Sequence, residues 1–164
     1  MGLVHFRVDD RLIHGIVAGY WSNHLKASRI LVIDNEASND EVVRTSLRMA
    51  CPSSIALSVL NLDKAIANIN NGNYVTQQVF VIAKRPSIFL RLLEAGIHVE
   101  AVNMGNFSWS SNLIKIAKTV SLDTDEIAAC ESLHQAGTTL EYQLVPNDKK
   151  EDFYQMLKQA KERV

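Results

Sequence analysis

The chain has 164 residues, of which 47% are hydrophobic and 21% are charged, and its formal net charge is -1 at neutral pH. This composition is typical of one ordinary globular domain, and the mixed charges argue against a basic surface for nucleic acids or anionic membranes. The apolar runs are shorter than the roughly 20 residues of a membrane span, and the first residues lack the pattern of a signal peptide.

The first half of the chain alternates predicted strands and helices. Val4, Phe6 and Val8 alternate with polar residues over 3–8, which predicts a strand. Apolar residues then recur at helical spacing over 13–25, which predicts a helix. The alternation continues with strands predicted at 29–34 and 55–60 and helices predicted at 39–50 and 62–70.

The second half repeats this alternation. Pro86 suits the first turn of a helix that ends at Gly96. Acidic residues at the start of 123–137, with Gly137 at its end, predict another helix. An amphipathic pattern over 148–164 predicts the last one. Strands are predicted at 78–84, 98–103, 115–122 and 138–145, with a small-residue loop at 104–112.

Strands that alternate with helices through short connections predict an α/β fold. We expect one domain, spanning 1–164, in which an open, mainly parallel sheet carries helices on both faces. Ligands of such sheets bind at the carboxyl ends of the strands, where the loops of neighbouring βα units meet. The connection between the first strand and the first helix is therefore the first place to look for a site.

The segment FRVDDRLIHG, residues 6–15, places two arginines, two aspartates and a histidine at this corner. His14 is a candidate nucleophile for a phosphoryl group, because a neutral imidazole attacks through one nitrogen while a hydrogen bond holds the other. Arg7 and Arg11 are candidates for binding phosphoryl oxygens with planar, permanently charged guanidinium groups. Gly15 allows a close backbone approach at the start of the helix, whose dipole favours an anion.

The two aspartates have several interpretations. Asp9 or Asp10 could orient an arginine or the imidazole, and we expect at least one carboxylate to point away because both would repel a phosphoryl group. Asp10 is the aspartate that we predict as a supporting residue of the phosphoryl site. Asp10 also suits a helix N-cap, and His14 alone would be a hydrogen-bonded structural histidine. Arg7 and Arg11 alone would be ion-pair partners of a neighbouring acid. Only their conjunction at a strand-to-helix corner favours a phosphoryl site.

The segment FRVDDRLIHGIVAGYW, residues 6–21, resembles a family motif, VRVDDRLIHGQV followed by an aromatic-rich helix. That motif belongs to the IIB component of the mannose/fructose/sorbose-type sugar phosphotransferase system (PTS). The resemblance runs in order through nearly the whole chain. The other similar segments are DNEASNDEVVRTSLRMACP (34–52), VFVIAKRP (79–86), VNMGNFSWSSN (102–112), KTVSLDTDEIAA (118–129) and YQLVPND (142–148).

The resemblance implies a phosphocarrier enzyme, a protein-histidine–sugar phosphotransferase, on an open, mainly parallel α/β sheet. His14 corresponds to the phosphorylated histidine, and Arg7 and Arg11 correspond to its flanking arginines. Such a protein accepts a phosphoryl group from a IIA component and passes it to a hexose or amino sugar that the membrane components IIC and IID import. The chain would act in the cytoplasm, peripherally associated with that permease. A relay between two partners predicts an exposed His14 on a flat surface and weak, transient docking.

One residue departs from the family motif, since Ile16 stands where the motif has glutamine. Either a contact that the glutamine makes with phosphate or a partner is missing, or the isoleucine packs inward and leaves the chemistry intact. Lys84 and Arg85, at the end of a predicted parallel strand, could reach the site or could form a solvated strand end.

The segment NMGN, residues 103–106, is a second candidate loop for phosphate binding. Gly105 permits a close backbone approach, and Asn103 or Asn106 could donate hydrogen bonds; the alternative is an ordinary turn. Just beyond it, Phe107 and Trp109 could form part of an exposed docking surface, although at least one of them is expected in the core.

We expect no cofactor and no metal. The chain lacks the glycine-rich GxGxxG and GxxxxGK[ST] motifs, and its remaining histidines lack metal-ligand spacing. Cys51 and Cys130 form no CxxC pair, which predicts buried, reduced thiols. The partners that the resemblance implies are proteins and a sugar, and no nucleic acid is expected.

Two other functions are alternatives on the same fold. A regulatory module could bind anions or nucleotides non-covalently, with His14 and the arginines as a static site. A hydrolase could use His14 and an aspartate as an acid–base pair, although the chain shows no nucleophile or metal set to complete it. Covalent transfer of phosphate to His14 would separate the phosphocarrier from both.

Overall fold

The computed structural model of the chain describes residues 2–108 and 112–164. The strands within these ranges are β1 (Gly2–Asp9), β2 (Arg29–Ile33), β3 (Ala56–Leu60), β4 (Gln78–Ala83), β5 (Ala101–Asn106), β6 (Ile114–Ala117), β7 (Val120–Leu122), β8 (Thr139–Tyr142) and β9 (Glu151–Asp152). The helices are α1 (Ser22–His24), α2 (Asn35–Asn39), α3 (Glu41–Ala50), α4 (Leu62–Asn70), α5 (Pro86–Glu94), α6 (Thr124–Gln135) and α7 (Phe153–Glu162). A π-helical turn at Val17–Trp21 leads directly into α1.

The central strand of the main sheet is β1. Over the described residues, the strand order is β3-β2-β4-β1-β5-β8-β9. The neighbouring strands pair in parallel, except that β8 and β9 are antiparallel. The predicted α/β class with an open, mainly parallel sheet is confirmed. In the described part of the chain, no helix combines the length and the apolar character that crossing a membrane requires.

Each face of the sheet buries its own apolar core. On one face, Phe6 and Val8 of β1 belong to a core formed with α4, α5, α6 and α7. On the other face, Phe80 and Ile82 of β4 belong to a core formed with the π-helical turn, α2 and α3. Because successive side chains of a strand point to opposite faces, the near-continuous apolar strands fill both cores. The predicted placement of helices on both faces is therefore confirmed.

The segment 115–122 is not the single strand that we predicted. It forms most of a hairpin, in which β6 and β7 pair antiparallel outside the main sheet. Ile116, Ala117, Val120 and Leu122 are all buried in the core on the α6 side of the sheet. Because Ile116 and Ala117 are adjacent, one strand with a period of two could not turn both toward the same core.

The segment 103–106 is not the loop that we predicted. These residues complete β5, which pairs with β1 on one side and with β8 on the other. A strand with partners on both sides satisfies its backbone hydrogen bonds along its length, so this segment remains extended. Asn103 lies beside Arg7 of β1 in the register of the two strands. The end of β5 therefore joins the same surface as the end of β1.

Both cysteines are free and buried, as we predicted. Burial raises the pKa of the Cys51 thiol. Burial, together with the neighbouring Glu126 and Glu131, also raises the pKa of the Cys130 thiol. Both thiols are therefore neutral at physiological pH, unlike the thiolates of reactive cysteines.

A buried carboxylate joins α5 to α6. Pro86 begins α5, so that the amide of Ser87 lies in the first helical turn, where amides have no partner within the helix. Oε1 of Glu126, on α6, accepts a hydrogen bond from this amide at 2.9 Å. Oε2 of Glu126 accepts a second hydrogen bond from the Ser87 hydroxyl at 2.9 Å. Glu126 thus acts as a cap for a helix other than its own.

We expect Glu126→Ala to lower the free energy of unfolding by about 1–3 kcal/mol, because it leaves two partly buried donors of Ser87 without their acceptor. Asp125→Ala is the matched control, since Asp125 is an exposed acid in the same helical turn. Its loss should be at most about 1 kcal/mol. Urea denaturation followed by circular dichroism measures both values, and equal losses would contradict the proposed role of Glu126.

Candidate functional site

The candidate site is built on a tight turn directly after β1. The amide of Leu12 donates a hydrogen bond to the carbonyl of Asp9 at 3.0 Å, and Leu12 has a φ of 59°. This left-handed conformation is unfavourable for a residue other than glycine by about 1–2 kcal/mol. Burial of Leu12 and Ile13 in the core beside the π-helical turn offsets that strain. The turn folds the chain back toward the end of β1.

His14 follows this turn and begins the helical segment that leads to α1. Its carbonyl accepts a hydrogen bond from the amide of Ala18 at 2.8 Å. Its ring Nε2 lies 2.9 Å from Oδ2 of Asp9. The side chain is 17% exposed, so His14 is more enclosed than the exposed residue that we predicted. The contact with Asp9 is the reason, because it draws the ring onto the buried end of the strand.

Asp9 is the fully buried centre of the site. Oδ2 contacts both His14 and the guanidinium of Arg7, whereas Oδ1 accepts a hydrogen bond from the amide of Arg11 at 3.2 Å. Burial alone would raise the pKa of Asp9, but the hydrogen bond from His14 and the charge of Arg7 outweigh it and hold that pKa below its usual value. Asp9 is therefore an ionised carboxylate that both a ring nitrogen and a guanidinium contact.

The guanidinium of Arg7 lies behind Asp9 and is fully buried. Its Nη2 and Nε lie 3.3 Å and 3.4 Å from Oδ2 of Asp9. Nη1 donates hydrogen bonds to the side-chain oxygen of Asn103 and, at 3.1 Å, to the carbonyl of Gln143. Cζ lies over the ring of Trp21, 5.3 Å from its centre. Burial lowers the pKa of Arg7, while the charge of Asp9 opposes this shift.

This position corrects the expectation that Arg7 reaches the phosphoryl group directly. β1 continues two residues beyond Arg7, to Asp9. The side chain of Arg7 points into the layer between the sheet and the π-helical turn, where it lies over Trp21. In that layer Asp9 separates it from His14. Arg7 therefore influences the histidine through a carboxylate and does not line an open phosphate site.

Asn103 and Gly105 also support Arg7 and do not line an open loop. Asn103 accepts a hydrogen bond from Arg7 and donates one at 3.0 Å to the carbonyl of Gln143. At Gly105, a Cβ atom would lie 2.8 Å from Nε of Arg7 and would overlap Cζ and Nη2. The close approach that this glycine permits is thus the approach of a guanidinium from the same chain.

Two of the predicted residues remain at the surface beside His14. The side chain of Arg11 is 54% exposed, and its Nε lies 3.9 Å from Oδ1 of Asp9. Gly15 is exposed, and no atom lies within 4 Å of the position that a Cβ would occupy. Arg11 is therefore the predicted arginine whose guanidinium is exposed.

The carboxylate of Asp10 is the one that turns away from the histidine. Its Oδ2 accepts a hydrogen bond from the amide of Ser108 at 3.0 Å, which ties the turn after β1 to the chain beyond β5. This contact differs from the predicted alternative, in which Asp10 would cap the first helix. Asp10 also borders a cleft beside the site, which it shares with residues that follow β2 and β4.

That cleft has a volume of about 390 Å³ and lies at the carboxyl ends of β2 and β4. Lys84 and Arg85 line it, so both are close to the surface on which the site lies. Lys84 forms an ion pair with Asp34, with Nζ 3.4 Å from Oδ2. Lys84 is therefore a part-exposed, ion-paired residue of this strand end.

The remaining predicted residues have structural positions. Ile16 is half-buried and packs against the core beside the π-helical turn, which is the inward-packing alternative for the departure from the motif. Phe107 is buried in the opposite core. The carbonyl of Asn106 accepts a hydrogen bond from the amide of Asp10 at 3.0 Å. Trp109, predicted as part of a docking surface, lies outside the described residues.

Asp9 is the residue that sequence reasoning missed, since Asp10 was the aspartate predicted to support the site. The available signal was the alternation of β1. If the strand continues through Asp9, residues 5, 7 and 9 share one face, and the acid falls beside Arg7. The turn that brings His14 onto this acid had no comparable signal, because it depends on a left-handed leucine.

Comparison with known proteins identifies relatives along nearly the whole chain. The family model described as PTS system sorbose subfamily IIB component matches residues 3–164. The chain is 37% identical over 146 residues to the sorbose-specific EIIB component of Lacticaseibacillus casei, covering 89% of each protein. It is 31% identical over 158 residues to the fructose-specific EIIB component of Bacillus subtilis, covering 96% of this chain and 97% of that one.

A solved structure agrees with the fold. The crystal structure of the IIBSor domain of the sorbose permease from Klebsiella pneumoniae superposes with a TM-score of 0.92 at 33% sequence identity. The superposition covers 97% of this chain and 98% of that domain. The resemblance inferred from the motif is confirmed.

The carboxylate of Asp9 generates a prediction about stability and its dependence on pH. At neutral pH, Asp9→Asn should lower the free energy of unfolding by about 3–5 kcal/mol, because the buried guanidinium of Arg7 loses its counter-ion. The pKa of Asp9 is lower in the folded chain than its usual value, so its contribution is present at neutral pH. That contribution is lost as the pH falls from about 4 through the folded-state pKa. The difference between wild type and variant should therefore shrink in acid.

Urea denaturation at a series of pH values measures this difference. Asp10→Asn is the matched control, since its amide oxygen can still accept the hydrogen bond from Ser108, and we expect a loss of at most about 1 kcal/mol. A difference between wild type and Asp9→Asn that stays constant from pH 7 to pH 3 would contradict the assigned charge state of Asp9.

Proposed function

The chain belongs to the sorbose subfamily of PTS IIB components, and from that membership we propose that it is a phosphocarrier with His14 as the relay. It accepts a phosphoryl group from the phosphohistidine of a IIA component. It then passes the group to a hexose or amino sugar presented by the membrane components IIC and IID. It acts at the cytoplasmic side of the membrane, bound peripherally to that permease.

The contact between Nε2 of His14 and Oδ2 of Asp9 is the observation that carries this proposal. An ionised carboxylate accepts only, so Nε2 is the protonated nitrogen and donates to it. In the neutral ring the lone pair is then on Nδ1, and no hydrogen bond within the described part of the chain engages that atom. A neutral imidazole in this tautomer is a nucleophile at Nδ1, while its Nε2 donates a hydrogen bond to the carboxylate of Asp9. We assign Nδ1 as the atom that carries the phosphoryl group.

The first transfer exchanges one nitrogen–phosphorus bond for another. The lone pair of Nδ1 forms a bond to phosphorus as the bond from phosphorus to the donor imidazole breaks, and the donor ring keeps that electron pair. Positive charge develops on the ring of His14 during attack. Asp9 stabilises this charge through the hydrogen bond at Nε2, as a fixed carboxylate does in other histidine-centred sites.

The second transfer moves the group to the sugar. A hydroxyl oxygen of the sugar attacks phosphorus, the bond to Nδ1 breaks, and the hydroxyl proton leaves to solvent or to a base of the permease. His14 returns to its starting tautomer because Nε2 keeps its proton throughout and donates it in the hydrogen bond to Oδ2 of Asp9. The same contact therefore serves acceptance and donation.

Arg11 is the residue proposed to stabilise charge on the phosphoryl oxygens. Its guanidinium is exposed beside the site and is only loosely paired with Asp9 at 3.9 Å, so it can turn toward Nδ1 without breaking a buried ion pair. Phosphoryl transfer depends mainly on positioning and on charge stabilisation at the equatorial oxygens. Gly15, the exposed residue that follows His14, leaves room for an approaching partner.

A labelling experiment tests the relay. With phosphoenolpyruvate, the general PTS proteins and a IIA component, the chain should gain one phosphoryl group in intact-mass spectra, and His14→Ala should gain none. Phosphorus–nitrogen couplings in NMR spectra should place the group on Nδ1. His98→Ala is the control, since His98 is an exposed histidine at the amino end of the sheet. Equal labelling of His14→Ala would refute the relay, and tight anion binding without labelling would support the non-covalent alternative.

Arg11 generates a separate kinetic prediction. Arg11→Gln should slow phosphorylation of His14 by about 10³-fold, because an arginine aimed at the transferred group contributes roughly this much in other phosphotransferases. The matched control is Arg44→Gln, which removes an exposed arginine from α3. Quenched-flow labelling measures both rates, and a rate for Arg11→Gln close to that of the control would remove Arg11 from the mechanism.

A further inference from the structure

The proposed relay gives no direct role to Arg7, although its guanidinium is among the largest fully buried groups of the protein. Burying a cation removes its charge from water, which is unfavourable unless the cation is paired and hydrogen-bonded. Among the described residues, Asp9 is the acid that pairs with it. Arg7 and His14 contact the same carboxylate oxygen, Oδ2. The position of the guanidinium therefore influences the position of the group that orients the histidine.

Several contacts from other elements hold this guanidinium in place. Asn103 of β5 accepts one hydrogen bond from it, and the carbonyl of Gln143, just beyond β8, accepts another. Asn103 is itself held by the same carbonyl. Trp21 covers the group from the π-helical turn, and its Nε1 donates a hydrogen bond at 2.7 Å to the carbonyl of Leu144. Arg7 is thus positioned by β5, by the chain just beyond β8 and by the π-helical turn.

Gly105 provides the space for this arrangement. The glycine lies on β5, two residues after Asn103, and the guanidinium lies against its backbone. A Cβ at this position would be 2.8 Å from Nε and would overlap two further atoms of the group. The φ of Gly105 is not in the left-handed region, so the backbone conformation does not demand glycine. What demands glycine is the volume that Arg7 occupies.

We infer that Gly105 is a positioning residue for the relay, because its missing side chain sets where Arg7, then Asp9 and finally the ring of His14 are held. This inference rests on the proposed function for its kinetic part. A methyl group at 105 displaces the guanidinium from Oδ2. Oδ2 of Asp9 then loses the contact that holds it in place, so the carboxylate turns away from Nε2 of His14 and no longer fixes the proton there. The reacting nitrogen becomes disordered between two tautomers although no residue touching the phosphoryl group has changed.

The test compares Gly105→Ala with Gly19→Ala. The control adds the same methyl group at an exposed glycine with no atom within 4 Å of the new Cβ. Nitrogen-15 NMR of the imidazole measures the fraction of His14 that carries its proton on Nε2, without any phosphoryl donor. We expect this tautomer to dominate in wild type and in Gly19→Ala, and to fall toward a mixture in Gly105→Ala.

The kinetic arm uses a saturating phosphorylated IIA component. The rate at saturation should fall about 10²-fold in Gly105→Ala, because small misplacements of reacting groups cost this much. The KM for the donor should stay unchanged, because Gly105 is buried and cannot contact a docked protein. An unchanged tautomer fraction, or a saturating rate equal to that of Gly19→Ala, would overturn the inference.

A double-mutant cycle shows whether the effect passes through Arg7. In Arg7→Met, the flexible side chain leaves no guanidinium to displace, so adding Gly105→Ala should change the rate less than threefold. Residues that act through a shared contact are not additive. Multiplication of the two separate losses would mean that Gly105 acts independently of Arg7 and would also overturn the inference.

A further variant covers the case in which Gly105→Ala does not fold by circular dichroism. Asn103→Ala then decides, because it removes an acceptor of Arg7 without adding atoms, and it should shift the tautomer and lower the saturating rate in the same direction. Wild-type values in Asn103→Ala would refute the positioning role. The relay itself fails separately, if His14→Ala is still labelled, and the tautomer measurement remains valid in that event.

Discussion

A single buried carboxylate connects the groups of the candidate site. Asp9 lies at the end of the central strand, where it meets an imidazole, a guanidinium and a backbone amide. An ionised acid in such a position would be strongly unfavourable without these partners. Removing any one of them changes the charge balance for the others. The strand end, the turn and the start of the first helix therefore form one electrostatic unit.

The contacts of this unit hold the site in place at the carboxyl end of the central strand. The turn after β1 holds Leu12 in a left-handed conformation, which burial of its side chain makes tolerable. The guanidinium of Arg7 is fixed from β5 and from the carbonyl of Gln143, so the strands on one side of β1 contribute to the position of His14. The relay proposed for His14 would benefit from such preorganisation, because a histidine that accepts and donates the same group then keeps its geometry through each transfer.

The chain belongs to a family whose members are named for different sugars. Relatives named for sorbose and for fructose both match this chain over most of its length. Ile16, which differs from the family motif, packs toward the core beside the π-helical turn and leaves the buried unit around Asp9 intact.

From the sequence alone one could predict the alternation of strands and helices, the mainly parallel sheet with helices on both faces, and the strand-to-helix corner that carries His14 and Arg11. These features follow from local periodicity and from the general rule that sites form at strand carboxyl ends. Only the tertiary structure decided that Asp9 holds the histidine, that Arg7 is buried behind it, and that Asn103 and Gly105 serve Arg7. Those assignments depend on contacts between residues about a hundred positions apart and on a left-handed leucine. Neither leaves a periodic signal in the chain, because they arise from the packing of β1 against β5 and of the first turn against both.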